Sequence, residues 1–235
     1  MDSILVKLFI KDYKNTQSED VRIKYGALAS IFGIVSNVII CAFKIVIGVI
    51  SGALSILADG INNLSDALNS IVSLLGFKMS QKKPDKEHPY GHQRMEYIAG
   101  FIVSVIVCVL GVQLILEAID KIRNPGSEVS YFYLNLGILC FAIIIKLYQA
   151  ILYRSIGKKI NSQTLIATST DSRNDVISTS LVLVGLIISK FTGYNLDGYF
   201  GLAVGLLVCY SGIKLVMEAS NPLLGEAPSK ELVHE

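Results

Sequence analysis

The chain has 235 residues, of which 52% are hydrophobic and 17% are charged, and its mean hydropathy is +0.55. These values lie above those of a typical water-soluble domain and indicate a membrane protein. The net charge of +2 is too small to favour a nucleic-acid partner, so we expect none.

Six apolar stretches are long enough to cross a hydrocarbon core, which takes about 20 residues in a helix. We therefore predict an all-α membrane protein with six transmembrane helices, surrounded by lipid. The predicted spans are residues 28–50, 53–78, 97–119, 131–153, 164–189 and 198–219. Residues 1–27 are predicted to form a cytoplasmic amino-terminal segment without a signal peptide, and residues 220–235 a cytoplasmic tail.

The loops between these spans differ in charge. Lys and Arg are concentrated before the first span and in the loops after the second and fourth spans, whereas the other connections hold few. Because cytoplasmic loops near span ends are enriched in Lys and Arg, both termini are predicted to face the cytoplasm. The expected location is the bacterial plasma membrane, as an integral multi-pass protein.

The second span, "GALSILADGINNLSDALNSIVSLLGF", carries polar side chains that are costly inside a lipid bilayer. Asn62 and Asp66 are four residues apart, so they share one helix face. Asp59 falls near the same stripe. It is either a helix cap or an accessory metal ligand.

The loop between the second and third spans contains two of the three histidines of the chain. Asp85, His88 and His92 form either a second metal site at the cytoplasmic surface or a polar loop that leads into the third span. Imidazole and carboxylate groups both bind divalent ions. Two histidines alone leave this choice open.

The fifth span contains "DSRNDVISTS", in which Asp171 and Asp175 repeat the spacing of four. Two helices that each present such a pair can face one another and surround a cation with four side chains. We therefore predict a metal site formed by Asn62, Asp66, Asp171 and Asp175.

Single cations also occur within other spans, at Lys44, Lys146 and Lys214. We expect these lysines to reach toward the membrane surface or to pair with acids, and we assign them no chemical role.

Four segments together resemble the cation diffusion facilitator family of divalent metal exporters. They are "FKIVIGVISGALSILADGINNLSDALNS", "HPYGHQRMEYIAG", "DSRNDVISTS" and "NPLLGEAP", in this order along the chain. The resemblance implies a six-helix bundle whose transport site lies on the second and fifth spans, with the first and fourth beside them. It also implies a homodimer that exchanges metal for protons by alternating access, with no prosthetic group and no enzymatic activity.

Zinc-transporting members of this family commonly carry His at the position of Asp171, and His or Asp at the position of Asn62. Neither position is His here, so the chain resembles the manganese-exporting branch. Oxygen ligands suit Mn²⁺, whereas Zn²⁺ prefers nitrogen or sulfur ligands. Mg²⁺ holds its hydration shell more tightly. Mn²⁺ is the predicted cargo, and Zn²⁺ and Fe²⁺ are alternatives.

The family usually carries a cytoplasmic carboxy-terminal domain, and this chain ends at "GEAPSKELVHE", so we expect that domain to be absent. Two other functions are compatible with intramembrane carboxylates. One is a divalent cation channel. The other is an intramembrane aspartyl hydrolase, although acids four residues apart opposite an amide fit a shared catalytic proton poorly.

Overall fold

The computed structural model describes residues 19–80, 95–124 and 129–224, and this part of the chain contains six helices. They are α1 (Glu19–Ser51), α2 (Leu54–Ser80), α3 (Met95–Arg123), α4 (Phe132–Lys159), α5 (Gln163–Thr192) and α6 (Asp197–Leu224). The predicted all-α fold is confirmed. The first helix begins before the predicted span at residue 28, because hydrophobicity marks the lipid-buried part of a helix and backbone hydrogen bonds continue beyond it.

Five of the described helices are long and apolar enough to cross a membrane. The exception is α2, because the polar residues in its first half lower its hydropathy. Large apolar side chains cover the outer faces of the bundle, with exposures of 66% at Val49, 67% at Ile151 and 83% at Phe191. Lipid, rather than water, is the environment that such a surface fits.

Four helices form a ring, in which α1 packs on α2, α4 packs on α5, α1 contacts α4, and α2 contacts α5 over a short stretch. The remaining helices, α3 and α6, pair with each other and pack on α2. The polar residues of α2 and α5 therefore lie next to each other within the ring.

Glycine permits the closest helix contacts. A Cβ atom added to Gly48 of α1 would lie 2.8 Å from the backbone nitrogen of Leu57 in α2. One added to Gly111 of α3 would lie 2.7 Å from the backbone nitrogen of Cys209 in α6. Both pairs of helices therefore pack backbone against backbone.

A single buried carboxylate joins the helix ends on the side of the α1–α2 turn. Asp197, at the start of α6, accepts hydrogen bonds from the backbone N–H groups of Leu54 (2.7 Å) and Ser55 (3.1 Å), at the start of α2. Lys121 of α3 pairs with the same carboxylate at 2.6 Å and donates to the carbonyl of Gly52 at 2.5 Å. Asp197 thus caps α2 and anchors α3 and α6 to it.

Replacing this carboxylate tests its structural role. Asp197→Ala leaves the Lys121 ammonium and two N–H groups of α2 without their acceptor, so we expect a loss of stability of about 3 kcal/mol. The measurement is thermal unfolding of the detergent-solubilised protein. The control is Glu218→Ala, which breaks an exposed pair with Lys214 at 3.7 Å and should change stability by less than about 1 kcal/mol. Equal shifts in both variants would contradict this role.

Candidate functional site

Two polar stripes face each other where α2 and α5 meet. Thr179 Oγ1 of α5 donates a hydrogen bond to Asp59 Oδ2 of α2 at 2.9 Å. One turn further along, Asn62 Nδ2 donates to Asp175 Oδ1 at 3.3 Å. Residue numbers rise along one helix and fall along the other, so the two helices run antiparallel at this contact.

A lysine from α4 completes the second of these contacts. Lys146 Nζ lies 2.6 Å from Asp175 Oδ2 and 3.8 Å from Asp66 Oδ2. We call Asn62, Asp66, Lys146 and Asp175 the Asp175 cluster. The Lys146 side chain is 1% exposed and the Asp66 side chain is 41% exposed. The cluster is therefore accessible from outside the protein at Asp66 and enclosed by protein at Lys146. Three of the four predicted metal ligands are brought together here.

The fourth predicted ligand is a neighbour of this cluster but is not bonded to it in the described residues. Asp171 is one helical turn before Asp175 on α5, about 6 Å along the helix axis. Its side chain is exposed and makes no hydrogen bond or ion pair with the described residues. Across the described ranges, no three His, Cys, Asp or Glu side chains lie close enough together to hold a metal ion. The predicted four-residue cage therefore stays a prediction for the metal-bound protein.

A second buried cluster lies closer to the α1–α2 turn. Lys44 Nζ of α1 donates to Asp59 Oδ2 at 2.6 Å, to Thr179 Oγ1 at 3.0 Å and to Asn63 Oδ1 at 3.3 Å. All four side chains are fully buried. We call these residues the Asp59 cluster. It ties α1, α2 and α5 together at one point.

The structure separates the two expectations for Asp59. This residue lies beyond the first turn of α2, and Asp197 provides the cap, so Asp59 is not the helix cap. Its Oδ2 atom is held by Lys44 and Thr179, while its Oδ1 atom has no hydrogen-bond partner. Its predicted role as an accessory ligand stays a prediction.

No functional role is predicted from the sequence for Lys44 and Lys146. The expected charge pairing is confirmed for both, but neither reaches the membrane surface, because their exposures are 0% and 1%. Lys214 differs, since it is exposed and pairs with Glu218 on the same helix. Their position in the sequence could have indicated this burial, because a cation in the middle of an apolar helix requires a buried acidic partner.

The predicted loop site cannot be placed. Asp85, His88 and His92 fall in residues 81–94, outside the described part of the chain. The choice between a second metal site and a polar loop therefore stays a prediction.

Comparison with known proteins identifies the class of this fold. Residues 30–224 match the family model described as the cation efflux transmembrane domain. The uncharacterized transporter MJ0449 of Methanocaldococcus jannaschii is 32% identical over 201 residues, which cover 86% of this chain and 71% of the relative.

Two relatives from Bacillus subtilis are named manganese efflux system proteins. MneS is 29% identical over 204 residues, which cover 86% of this chain and 69% of the relative. MneP is 30% identical over 216 residues, which cover 88% of this chain and 71% of the relative.

A bundle of membrane-spanning helices with charged clusters buried between them defines an integral multi-pass transport protein. The chain belongs to the cation efflux family of metal transporters, whose cargo is a divalent metal cation. The resemblance to the cation diffusion facilitator family is confirmed, with manganese exporters among the relatives. The homodimer that the resemblance implied stays a prediction.

The Asp59 cluster can be tested as a charge-balanced unit. Lys44→Met leaves the Asp59 carboxylate buried without its cation, so we expect a loss of stability of about 3–5 kcal/mol. Asp59→Asn leaves the ammonium unpaired and should cost a similar amount. The double variant removes both charges and should recover most of the loss, as measured by thermal unfolding in detergent.

A double variant no more stable than the single variants would contradict this interpretation. Binding measurements on the same proteins address the accessory role of Asp59. Loss of metal binding in a stable double variant would support Asp59 as a ligand, and retained binding would not.

Proposed function

We propose that this protein exports Mn²⁺ from the cytoplasm across the plasma membrane in exchange for protons, by alternating access. The proposed ligands are Asn62, Asp66, Asp171 and Asp175. The observation that carries the proposal is the convergence of Asn62, Asp66 and Asp175 at the contact between α2 and α5. Zn²⁺ and Fe²⁺ are the alternative cargo.

The chemistry of the ligands supports manganese. The proposed site offers three carboxylates and one amide, with no imidazole or thiolate group, and oxygen ligands of this kind suit Mn²⁺ better than Zn²⁺. Mg²⁺ also accepts oxygen ligands but loses its water reluctantly. The relatives MneS and MneP carry manganese efflux in their names.

The two clusters differ in access, and this difference supports alternating access. The Asp59 cluster is fully buried and lies on the side of the α1–α2 turn, where few basic residues occur. Asp66 and Asp171 are accessible, and Asp171 lies near the lysine-rich α4–α5 turn. We infer that this conformation is open toward the cytoplasm, and that the contacts of Thr179 with α2 must break for the site to open outward.

Charge balance supports exchange with protons. With all groups ionised, Asp66, Asp171, Asp175 and Lys146 together carry a formal charge of −2. One divalent cation neutralises this charge, and so do two protons. A carrier that alternates between these two loads avoids moving an uncompensated charge through a medium of low dielectric constant.

The first functional prediction concerns Asp175, which contacts both Asn62 and Lys146. Asp175→Ala should abolish Mn²⁺ flux in proteoliposomes, together with the opposite movement of protons reported by a pH dye. The matched control is Asp120→Ala, which removes an exposed carboxylate whose contact is Asn124 and should leave flux unchanged. Wild-type flux in Asp175→Ala would refute the site. Wild-type metal flux without proton movement would favour a channel.

The second functional prediction concerns selectivity. Asn62→His combined with Asp171→His supplies two nitrogen ligands, so we expect the ratio of Zn²⁺ to Mn²⁺ transport to rise by on the order of tenfold. The control is Asn62→Gln combined with Asp171→Glu, which changes both side chains and keeps oxygen ligands. Both ratios are measured in the same vesicles. An equal ratio in the two double variants would count against the ligand-type argument.

A further inference from the structure

Lys146 occupies the position between two of the proposed metal ligands. Its stem crosses from α4 into the ring, and its Nζ atom approaches the Oδ2 atoms of Asp175 and Asp66 at 2.6 Å and 3.8 Å. The side chain is 1% exposed. A positive charge supplied by the protein thus lies where the cargo would have to bind.

The ammonium group and a metal ion compete for the same atoms. Carboxylate oxygens hold a divalent cation at about 2.0–2.6 Å, and Nζ already lies 2.6 Å from Asp175 Oδ2. Two cations cannot share this oxygen at such distances without strong repulsion. A metal ion bound through Oδ2 of Asp66 and Oδ2 of Asp175 therefore requires Lys146 to withdraw.

The partners of Lys146 allow such a withdrawal. Within the described residues, its ammonium group contacts only the carboxylates of Asp175 and Asp66. Lys44 is held differently, because three side chains enclose its ammonium group and all of them are fully buried. The flexible four-carbon stem of Lys146 can move away when the carboxylates take another cation.

We propose that Lys146 is a tethered counter-cation of the transport site, which pairs with Asp66 and Asp175 when the carrier holds no metal and yields these carboxylates to a divalent cargo. This inference rests on the proposed function. It assigns Lys146 the role of a positioning and specificity-determining residue.

The return of the carrier without metal is the step that depends most on Lys146. Buried carboxylates without a cation are strongly disfavoured in a medium of low dielectric constant. The tethered ammonium compensates part of this charge during the return. The metal-loaded crossing depends on Lys146 less, because the divalent cargo itself then binds the carboxylates that the lysine pairs with in its absence.

The same competition favours divalent over monovalent cations as cargo. An attached ammonium group has a high effective concentration at the carboxylates. A monovalent ion in solution would replace it with an equal charge and gain little. A divalent ion brings a second charge to the same oxygens, so it can displace the lysine where Na⁺ or K⁺ cannot.

The test separates two modes of transport in proteoliposomes that contain Lys146→Met. Net efflux of Mn²⁺ into metal-free buffer requires the carrier to return without metal, loaded with protons, whereas exchange of labelled for unlabelled Mn²⁺ does not. We expect net efflux to fall at least about tenfold while exchange is retained. We also expect equilibrium binding of Mn²⁺ to tighten by at least about tenfold, because the competitor is gone.

Lys158→Met, which removes an exposed lysine from the last turn of α4, is the matched control and should change neither quantity. Unchanged net efflux in Lys146→Met, or an equal loss in both modes, would overturn the proposal. Failure of the proposed function is distinguishable, because the wild-type protein would then move no Mn²⁺ in either mode. In that case the binding measurement still decides whether Lys146 competes with a divalent cation.

A second variant covers the case in which Lys146→Met does not fold. Lys146→Arg keeps the charge and can hold carboxylate oxygens through two donors. We expect the apparent KM for Mn²⁺ to rise by about tenfold, with the ratio of net efflux to exchange unchanged. An unchanged KM in this variant would overturn the proposal.

Discussion

Pairing of buried lysines with buried carboxylates is the interaction on which the interior of this bundle depends. Charges inside a lipid-surrounded protein persist only when they are paired and hydrogen-bonded. Lys44 of α1 pairs with Asp59 of α2, and Lys146 of α4 pairs with Asp175 of α5. Each of these pairs joins two helices that are consecutive in the chain. The ring therefore consists of two halves, each with its own buried ion pair.

Contacts between the two halves are weaker than those within them. Hydrogen bonds from Thr179 and from Asn62 connect α2 with α5, and the longer ion pair from Lys146 reaches Asp66 at 3.8 Å. In contrast, α1 packs backbone against backbone on α2, and Asp197 fixes α2 to α3 and α6. Relative movement of the halves would break these polar contacts and part of the apolar packing between α1 and α4, where Tyr25 and Ala29 share a buried cluster with Leu152 and Ile156. It would leave the packed pairs within each half intact.

The polar side chains of α2, which include the proposed metal ligands Asn62 and Asp66, lower the hydrophobicity of this helix. Asp59, Asn62 and Asp66 make α2 the described helix whose hydropathy falls short of a membrane span, and neighbouring helices compensate for them. Lysines from α1 and α4 supply the opposite charge, and Asp197 supplies the cap. The proposed metal site is thus kept inside lipid by groups that are not among its proposed ligands.

The membrane class, the six described helices and the polar stripes of α2 and α5 can be predicted from the sequence. These features are local, since hydrophobic length and a repeat of about 3.6 residues can be read along a single segment. The packing of the folded helices, in contrast, places Lys146 between Asp66 and Asp175, and places Lys44 on Asp59. Asn62 and Asp175, for example, are 113 positions apart in the chain. Their contact depends on the rotation and depth of two helices, which packing among all six sets and no local periodicity encodes.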